Sequence, residues 1–483
     1  MAMRAPLEVD EQDAVAVHRL TFAGGSAGSR PLTWAQLAEL DDWTRLDPDE
    51  HAGNDVRCTA HLPATDVSGV WSAVRSVVLR HEGLRTRLRR DDAGSWVQVV
   101  SAAGELTVLE FAQTDPADTF TFRVLDFLTA RPFAADDLPV RMALITADGR
   151  PVTLVVALWH MIADGLAAEV VARDIRLFCD GPDAVPPVDW QPGEIAAYER
   201  GPRGQDHARR TDDHLRRQLR RAAPVPPVRA VDPVGELRYF CDFLDSTAAA
   251  AATVILARRL RMSRATVLLT GYARSLCDWL GQTSVTVLLM CANRGHPRMR
   301  TSVANLAQGV PVTLDLSGGD FATQCRAIAD ATLLTYRYGH HDPERYRRAV
   351  ADAERARGEP VSVPFIVNLR GLGLPGLGGE VDASAHARMR EYATLTGDDL
   401  EALQRDTKFR EFSGTVGRPF ETIEFTLWLL SDIAEMMLMA NEHSMTADVP
   451  RRLLAALEHH LVEAVRDLDA ADEVTAGFVA SGE

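Results

Sequence analysis

The sequence predicts a mixed α/β (α+β) protein with two lobes. Segments in which apolar residues recur at the spacing of a strand alternate with segments that have the spacing of a helix, along the whole chain. The sequence shows no internal repeat of fixed period. The chain has 483 residues, and compact domains usually contain about 100–200 residues each, so two lobes are expected. An apolar fraction of 46% and a charged fraction of 25% are ordinary for globular proteins. Wholly disordered and collagen-like chains are therefore excluded.

Charge and cysteine usage narrow the class of protein further. The chain carries 52 basic and 68 acidic residues, for a formal net charge of −16, whereas nucleic-acid binding requires a clustered positive field. We therefore expect no nucleic-acid partner. The six cysteines form no CxxC pair and fit a reducing compartment. With no visible signal peptide and no apolar run of bilayer length, the sequence predicts a cytoplasmic protein without a membrane partner.

The first lobe is predicted from an amphipathic helix and a buried strand. Apolar residues recur at helical spacing from Asp66, a suitable N-cap, to Arg80. The continuous apolar run at residues 152–159 predicts a strand buried on both faces, and a helix follows at residues 166–178. Prolines between positions 182 and 192 indicate a linker. We therefore place the lobes at residues 1–181 and 182–483. Further first-lobe strands are predicted at residues 15–22 and 96–100.

The second lobe is predicted from helices and strands in alternation. Ser263 is a suitable N-cap for an amphipathic helix, and residues 245–247 can cap the alanine-rich helix that precedes it. Residues 207–221 are predicted to form a strongly basic helix. Strands are expected at residues 285–291, 361–369 and 424–430. A closing helix is expected at residues 451–468.

The segment from Trp159 to Gly165, WHMIADG, carries the strongest candidate for chemistry. His160 directly follows the buried strand, so its side chain can reach a cleft at the end of that strand. Asp164 is placed to turn the loop and to interact with a cation or with backbone amides behind the histidine, and Gly165 leads into the next helix. This spacing alone leaves two interpretations open: a functional histidine, acting as base or metal ligand, or a structural turn.

Two glycine motifs match enzyme signatures but lack the structural context those signatures need. Residues 24–28 fit GxSxG, but the following residues 29–31 indicate a loop instead of the helix that a nucleophile elbow requires. Residues 371–376 fit GxGxxG, yet Pro375 interrupts them and no amphipathic helix follows to bind a pyrophosphate. We therefore predict no dinucleotide site, and we expect neither a bound cofactor nor a metal ion.

Several motifs together resemble the condensation-domain superfamily of nonribosomal peptide synthetases, which is related to chloramphenicol acetyltransferase and carnitine acyltransferases. The segment from Trp159 to Gly165 is similar to the signature of that family, HHxxxDG. Other similar motifs occur in the family's order across nearly the whole chain. They are PLTWAQ at 31–36, RHEGLRT at 80–86, the weak motif at 191–198, ANR at 292–294, VANLAQGVPV at 303–312 and FIVN at 365–368.

The resemblance implies two chloramphenicol-acetyltransferase-like lobes set in a V, with a central tunnel between them. It implies that His160 is the catalytic histidine, which deprotonates or orients a nucleophile or stabilises the tetrahedral intermediate. Asp164 would be mainly structural and paired with an arginine of the second lobe, for which Arg294 is the candidate by position. Gly165 and Trp159 would support the site, with Trp159 at the place of the family's first histidine.

The activity that the resemblance implies is acyl transfer in nonribosomal peptide or antibiotic biosynthesis. An acyl or peptidyl carrier protein would present an acyl or aminoacyl thioester on phosphopantetheine, and a small-molecule amine or alcohol would accept the acyl group. Chain length equals one such domain, which predicts a free-standing enzyme. Two alternatives stay open: a non-catalytic condensation-like module that recruits a partner enzyme, and an epimerase-type relative. Gln308, Gly309 and Thr313 depart from the family's usual Asn, Thr and Arg.

Docking of an acidic carrier protein would need a local basic surface, because the net charge of this chain is itself negative. The densest run of arginines lies in the predicted helix at residues 207–221, where Arg216, Arg217 and Arg220 are the candidate docking residues. The competing interpretation is a solvated helix face whose arginines pair with neighbouring acids such as Asp212.

Overall fold

The computed structural model describes residues 9–45, 55–114, 116–181, 185–188, 190–223, 237–370, 383–416, 423–429, 434–442 and 444–480. The chain divides into two compact units. Unit 1 comprises Met1–Arg210, Ala292–Gln308 and His340–Arg345, and unit 2 comprises Thr211–Cys291, Gly309–Gly339 and Tyr346–Glu483. Unit 1 is therefore discontinuous in sequence. The simpler division at residues 181 and 182 stays a prediction.

Unit 1 contains the first eight strands and the first five helices of the described chain. The strands are β1 (Ala16–Phe22), β2 (Gly28–Pro31), β3 (Asp55–His61), β4 (Thr86–Arg90), β5 (Trp96–Val100), β6 (Gly104–Ala112), β7 (Val140–Ala147) and β8 (Arg150–Trp159). The helices are α1 (Trp34–Trp43), α2 (Val67–Arg80), α3 (Ala117–Thr129), α4 (Gly165–Asp180) and α5 (Pro192–Arg200). Helix α6 (Pro202–Arg221) begins in unit 1 and ends in unit 2.

The main sheet of unit 1, within the described residues, has the strand order β1-β6-β7-β8-β3. Strands β6 and β7 are parallel, and the other neighbours are antiparallel. A smaller sheet has the order β2-β5-β4. Strand β8 occupies an interior position, which explains its continuous apolar sequence, because both of its faces are covered. The predicted buried strand is thus confirmed, and it begins two residues earlier than expected.

Helices α2 and α4 pack on each other. Helix α2 also contacts β1, and α4 also contacts β3. Asp66 caps α2 as predicted, since its carboxylate accepts a hydrogen bond of 2.7 Å from the amide of Gly69. Val70, Val74 and Val77 recur on one face of α2 and are fully buried. The helical period in the sequence therefore places α2 correctly.

Pro192 is an exception to the predicted linker, because it is the first residue of α5. Proline is well suited to this position, where the amide hydrogen that it lacks would have no partner within the helix. Gln191 precedes it as N-cap, with Glu194 completing a capping box. The prolines at 186 and 187 lie outside regular secondary structure, and residue 182 lies outside the described residues.

Unit 2 contains the remaining helices and strands of the described chain. The strands are β9 (Leu237–Ser246), β10 (Ser284–Cys291), β11 (Gln308–Asp315), β12 (Phe365–Arg370), β13 (Lys408–Val416), β14 (Ile423–Leu429) and β15 (Ala434–Asn441). The helices are α7 (Thr247–Leu260), α8 (Arg264–Leu280), α9 (Phe321–Arg337), α10 (Pro343–Arg357), α11 (Ala383–Tyr392), α12 (Gly397–Gln404) and α13 (Val449–Ala480). Strand β11 and helix α10 each begin with residues of unit 1.

One sheet organises unit 2, and its described strands have the order β11-β10-β12-β14-β15-β9-β13. Strands β10, β12 and β14 are parallel, and β14, β15, β9 and β13 are antiparallel. Helices α7, α8 and α13 pack together over its core. The alanines at residues 248–252 are buried in α7, where small side chains allow close packing. Ser246 and Ser263 cap α7 and α8, as predicted.

Some sequence predictions fall at or beyond the edges of the described chain. The GxGxxG segment at residues 371–376 lies outside the described residues, as does residue 430 at the end of a predicted strand. The GxSxG segment at residues 24–28 is described, and the strand β2 follows it instead of a helix. The loop predicted at residues 29–31 was therefore wrong, because these residues pair with β5 in the smaller sheet. Among the described helices, none is both long and apolar enough to cross a bilayer.

Asp242 is an acidic side chain in the core of unit 2. Along β9, it lies two residues after Phe240 and two residues before Leu244. Alternate residues of a strand point to the same face, so Asp242 shares the face of these two core residues. Its side chain is buried, and Oδ2 has no hydrogen-bond partner. Burial, with a further contribution from Glu411 across the sheet, raises the pKa of Asp242 to about 6. The folded protein therefore keeps this carboxyl protonated to a higher pH than the unfolded chain does.

We expect Asp242→Asn to stabilise the protein above pH 6. Because the pKa of Asp242 is higher in the folded than in the unfolded protein, the free energy of unfolding decreases as the pH rises from about 4 to about 6. Above that range the full destabilisation by the ionised carboxylate is present. The gain in unfolding free energy at pH 8 should be about 2–3 kcal/mol, because each pH unit between folded and unfolded pKa is worth about 1.4 kcal/mol. Thermal melts at pH 8 and pH 4.5 check this, with a gain that shrinks at the lower pH. An equal gain at both values would contradict it.

Candidate active site

His160 lies in the turn that follows β8, and its side chain is 31% exposed. The strand before it is buried, so the chain emerges from the sheet at this residue. Strand β3 pairs with β8 so that Asp55 lies opposite Trp159, next to the histidine. The geometry thus places an accessible imidazole at the end of a fixed strand, as the sequence predicted.

Trp159 points away from solvent and is 1% exposed. Its ring lies 5.8 Å from that of Trp43 in an edge-to-face arrangement, and Met161 and Ile162 belong to the same apolar cluster. The residue at the place of the family's first histidine is therefore a packing residue. It supports the turn that carries His160 without presenting a titratable group.

Asp164 and Arg294 form a buried ion pair inside unit 1. Arg294 Nη2 donates to Asp164 Oδ1 at 2.6 Å, and the two side chains are 0% and 4% exposed. Asp164 is also the N-cap of α4, because Oδ1 accepts from the amide of Ala167 at 2.8 Å. Its Oδ2 accepts from the amide of Leu306 at 2.9 Å. Both carboxylate oxygens are thus hydrogen-bonded, as a buried charge requires.

Arg294 also fixes the loop between β10 and β11. Its Nη1 donates to the carbonyl oxygens of Met299 and Ser302, both at 2.8 Å, and Nη2 donates to that of Ala304 at 3.1 Å. The guanidinium therefore holds the backbone of residues 299–304 while it pairs with Asp164. The sequence places Arg294 in the predicted second lobe, whereas the structure places it in the same compact unit as Asp164.

Asn305 connects this loop to the candidate catalytic residue. Its Nδ2 donates to the carbonyl oxygen of His160 at 2.9 Å and lies 3.3 Å from Nδ1 of the same residue. The Oδ1 atom accepts from the amide of Ala307 at 3.2 Å, which fixes the orientation of the amide group. Sequence reasoning included Asn305 in a family motif but assigned it no function. No short-range pattern indicates a contact between residues so far apart in sequence.

Two carboxylates lie near His160. Glu39 Oε2 is 3.9 Å from His160 Nδ1, and the Glu39 side chain is 20% exposed. Asp55 is hydrogen-bonded to Arg57 at 3.1 Å and interacts electrostatically with His160. Burial raises the pKa of Asp55, and Arg57 opposes that change. Neither acid was predicted from the sequence, where both lack a recognisable motif. The imidazolium form of His160 is therefore flanked by negative charge.

The remaining motif residues of unit 1 form supporting structure. His81 is fully buried, its Nε2 is 2.9 Å from Asp174, and burial lowers its pKa, so it is a structural residue. A Cβ on Gly83 would lie 2.3 Å from the carbonyl oxygen of Val303, so only glycine fits there. Gly165 differs, because a Cβ there would meet no atom within 4 Å. It begins α4 without a steric requirement for glycine.

The positions that depart from the family's pattern also have defined contacts. Gln308 Nε2 donates to the carbonyl oxygen of His341 at 2.8 Å, and its Oε1 accepts from the amide of His341 at 3.1 Å. In unit 2, the hydroxyl groups of Thr313 and Thr286 are 3.0 Å apart. Gly309 lies against Leu288, which leaves no room for a Cβ without a shift of that side chain. The three residues serve local structure.

The arginines of α6 differ in their availability. Arg216 is held in unit 2 by Asp212, at 3.0 Å, and by Asp352. The competing interpretation of solvated, locally paired arginines therefore applies to this residue. Arg217 and Arg220 are exposed on the same helix. Their role in carrier docking stays a prediction.

The sequence profile of the Condensation domain family matches residues 43–368. This chain belongs to the condensation-domain family. The matched residues include the motifs around Arg80, His160, Arg294 and Asn305. The condensation-domain profile therefore covers the residues whose contacts are described above.

The relatives of this condensation domain include large synthetases. The N-(5-amino-5-carboxypentanoyl)-L-cysteinyl-D-valine synthase of Penicillium rubens is 24% identical over 270 residues, which cover 53% of this chain and 7% of the synthase. The chain therefore spans only a small share of that relative. Residues that match across such a distance indicate the domain type and leave its substrates undefined.

Solved structures share the condensation-domain fold over nearly the full chain. One is the condensation domain that mediates chain release from the enacyloxin polyketide synthase, with a TM-score of 0.69, 18% identity, and coverage of 91% of this chain and 83% of that one. Another is the X-domain from teicoplanin biosynthesis, with a TM-score of 0.62, 19% identity, and coverage of 92% and 98%. At these identities the likeness establishes the mixed α/β, chloramphenicol-acetyltransferase-like fold alone.

Proposed function

We propose that the protein joins an acyl or aminoacyl thioester, tethered to a carrier protein, to an amine or hydroxyl nucleophile. The observation that carries this proposal is an accessible imidazole, His160, held at its backbone by Asn305 and placed next to the buried pair of Asp164 and Arg294. Membership of the condensation-domain family supports the reaction class. Nonribosomal peptide or antibiotic biosynthesis is the setting that we infer.

The chemistry of amide or ester formation fits a single histidine. The imidazole accepts the proton of the attacking N–H or O–H group while the nucleophile forms a bond to the thioester carbonyl carbon. When the C–S bond breaks, the departing phosphopantetheine thiolate receives that proton. A general base of this kind contributes about 10²–10⁴-fold to the rate, and positioning of the two substrates contributes further. No covalent enzyme intermediate is needed.

The experiment that tests the function uses carrier proteins loaded with a panel of acyl and aminoacyl thioesters. Each is incubated with candidate amines and alcohols, and intact-protein and small-molecule mass spectrometry detect both the unloaded carrier and the new amide or ester. We expect product with at least one pair and none without enzyme. An α-carbon epimerised thioester without a new bond would indicate an epimerase instead. Carrier or partner binding without any turnover would favour a recruitment module.

Carrier docking on α6 can be tested at Arg220, which is exposed in the last turn of that helix. Under the docking proposal, Arg220→Glu should raise the apparent KM for a carrier-bound thioester and leave turnover of a small pantetheine thioester unchanged. The KM effect should shrink with added salt, because exposed charges are screened beyond about 8–10 Å near physiological ionic strength. Arg216 is left in place because reversing it would break two ion pairs.

Arg258→Glu provides the matched control for this docking test. Arg258 is also exposed in the last turn of a helix, α7, so its reversal makes the same change in charge and in helix-end electrostatics. The control should leave the KM for the carrier-bound thioester unchanged. If both reversals raise that KM equally, net charge is responsible and α6 is not the docking surface.

A further inference from the structure

Glu39 is held on a well-anchored helix that faces His160. Thr33 and Gln36 form a capping box at the start of α1, and Trp34 and Leu40 are buried on the same helix. The carboxylate therefore has a fixed base, and its Oε2 lies 3.9 Å from His160 Nδ1. Both residues belong to unit 1. This contact is an ion-pair distance for the imidazolium form of the histidine.

Two groups approach the same ring nitrogen of His160. If the amide hydrogen of Asn305 bonds to Nδ1, at 3.3 Å, that nitrogen must be unprotonated and the ring proton is on Nε2. If Nδ1 carries the proton, the negative charge of Glu39, whose Oε2 lies 3.9 Å from that nitrogen, stabilises it. The Asn305 amide makes its shorter bond, 2.9 Å, to the carbonyl oxygen of His160. The full charge on Glu39 therefore favours a protonated Nδ1.

We propose that Glu39 is a positioning residue that keeps the proton of His160 on Nδ1 and leaves Nε2 free to act as the base. The proposal rests on the acyl-transfer function proposed above. When Nε2 takes the proton of the nucleophile, the resulting imidazolium is stabilised by the carboxylate at 3.9 Å. The proton then leaves Nε2 for the thiolate. Asn305 then supports the backbone of the histidine instead of its ring.

The other charged groups around His160 act less directly. Asp55, from β3, is bonded to Arg57 and interacts with Arg141 of β7, and both arginines offset part of its charge. Asp164 and Arg294 neutralise each other behind the turn. Among the described groups, Glu39 is the carboxylate within ion-pair distance of the ring, so its removal tests the proposal most directly.

The direct test is nuclear magnetic resonance of protein labelled with ¹⁵N-histidine, in which chemical shifts distinguish the two neutral tautomers. The signal of His160 is assigned by its loss in His160→Gln. We expect the Nδ1-protonated tautomer in the wild type and a shift toward the Nε2-protonated form in Glu39→Gln. A wild-type protein with the proton on Nε2, or identical tautomers in both proteins, would overturn the proposal. This readout does not require a known substrate.

Activity supplies the second readout. Glu39→Gln should lower kcat for a pantetheine thioester about tenfold, a part of what a general base contributes, and leave KM nearly unchanged. The acid limb of its pH–rate profile should move to lower pH, because the imidazolium loses a stabilising negative charge. Glu39→Asp should recover part of the rate. Asp42→Asn, which removes an exposed carboxylate from the same helix, is the matched control and should change neither kcat nor the profile.

The two proposals fail in different ways. If no thioester is turned over but the tautomer of His160 still responds to Glu39→Gln, the acyl-transfer function is wrong and the contact is real. If the wild type is active and neither tautomer nor pH profile responds, the positioning proposal is wrong and the function stands.

Discussion

Replacement of His160 with alanine is expected to lower product formation by at least about 10²–10⁴-fold, the contribution of a general base. The fold should remain nearly intact, because the side chain is 31% exposed and lies outside the described apolar clusters. Initial rates with a carrier-bound thioester, together with the melting temperature of each protein, check both parts. The melting temperature of His160→Ala should lie within a few degrees of that of the wild type.

Two further variants separate a base from a residue that only positions substrate. His160→Gln keeps hydrogen-bonding capacity but cannot take a proton at neutral pH, so it should be as inactive as the alanine variant. His459→Ala removes an exposed histidine from α13 and should be fully active. If His160→Gln retained a rate close to that of the wild type, positioning alone would carry the reaction and imidazole would not be the base.

Asp164→Ala is expected to cost about 3–5 kcal/mol of stability, because it leaves the charge of Arg294 buried without its partner. The substitution also removes the N-cap of α4 and the acceptor for the amide of Leu306. Activity should fall as well, since Leu306 is adjacent to the asparagine that holds His160. Thermal and urea unfolding of the variant and the wild type measure the first effect, and initial rates measure the second.

A double-mutant cycle isolates the ion pair from the cap. Arg294→Met removes the charge while it keeps an extended side chain, and the double variant Asp164→Ala, Arg294→Met leaves no unpaired charge. The double variant should be destabilised less than the sum of the two single variants predicts. Additive losses, or equal melting temperatures for Asp164→Ala and the wild type, would show that the pair contributes no coupling energy.

Local sequence patterns predicted the frame of the candidate site well. The continuous apolar run before His160 and the helical period after Asp164 located β8 and α4, because both patterns arise from burial of neighbouring residues. The family resemblance supplied the pairing of Asp164 with Arg294, which the structure contains. The resemblance also implied the mixed two-lobed architecture type, and the similarity to solved condensation domains confirms the fold class.

Contacts between distant segments were the part that the sequence did not reveal. Glu39, Asp55 and Asn305 meet His160 from three separate parts of the chain, and no short-range period encodes such a meeting. Several strands were also missed, among them β9 and β13, which pair with each other although they are far apart in sequence. Strand pairing of this kind depends on the whole sheet more than on local propensity. The burial of Asp242 could not be predicted for the same reason, because the strands that pack around it determine its position in the core.

The discontinuity of unit 1 has a consequence for biosynthesis of the chain. Arg294 is 130 residues after Asp164, and the loop that contains it reaches unit 1 only after β10 has been made. A nascent chain that ends near residue 181 has β8 and α4 but lacks every partner that the loop supplies to His160 and Asp164. Asp164 then lacks the cation that pairs with it, so completion of the turn that carries His160 must await the later segment. Fragments divided at that point should regain the turn only when both pieces are present.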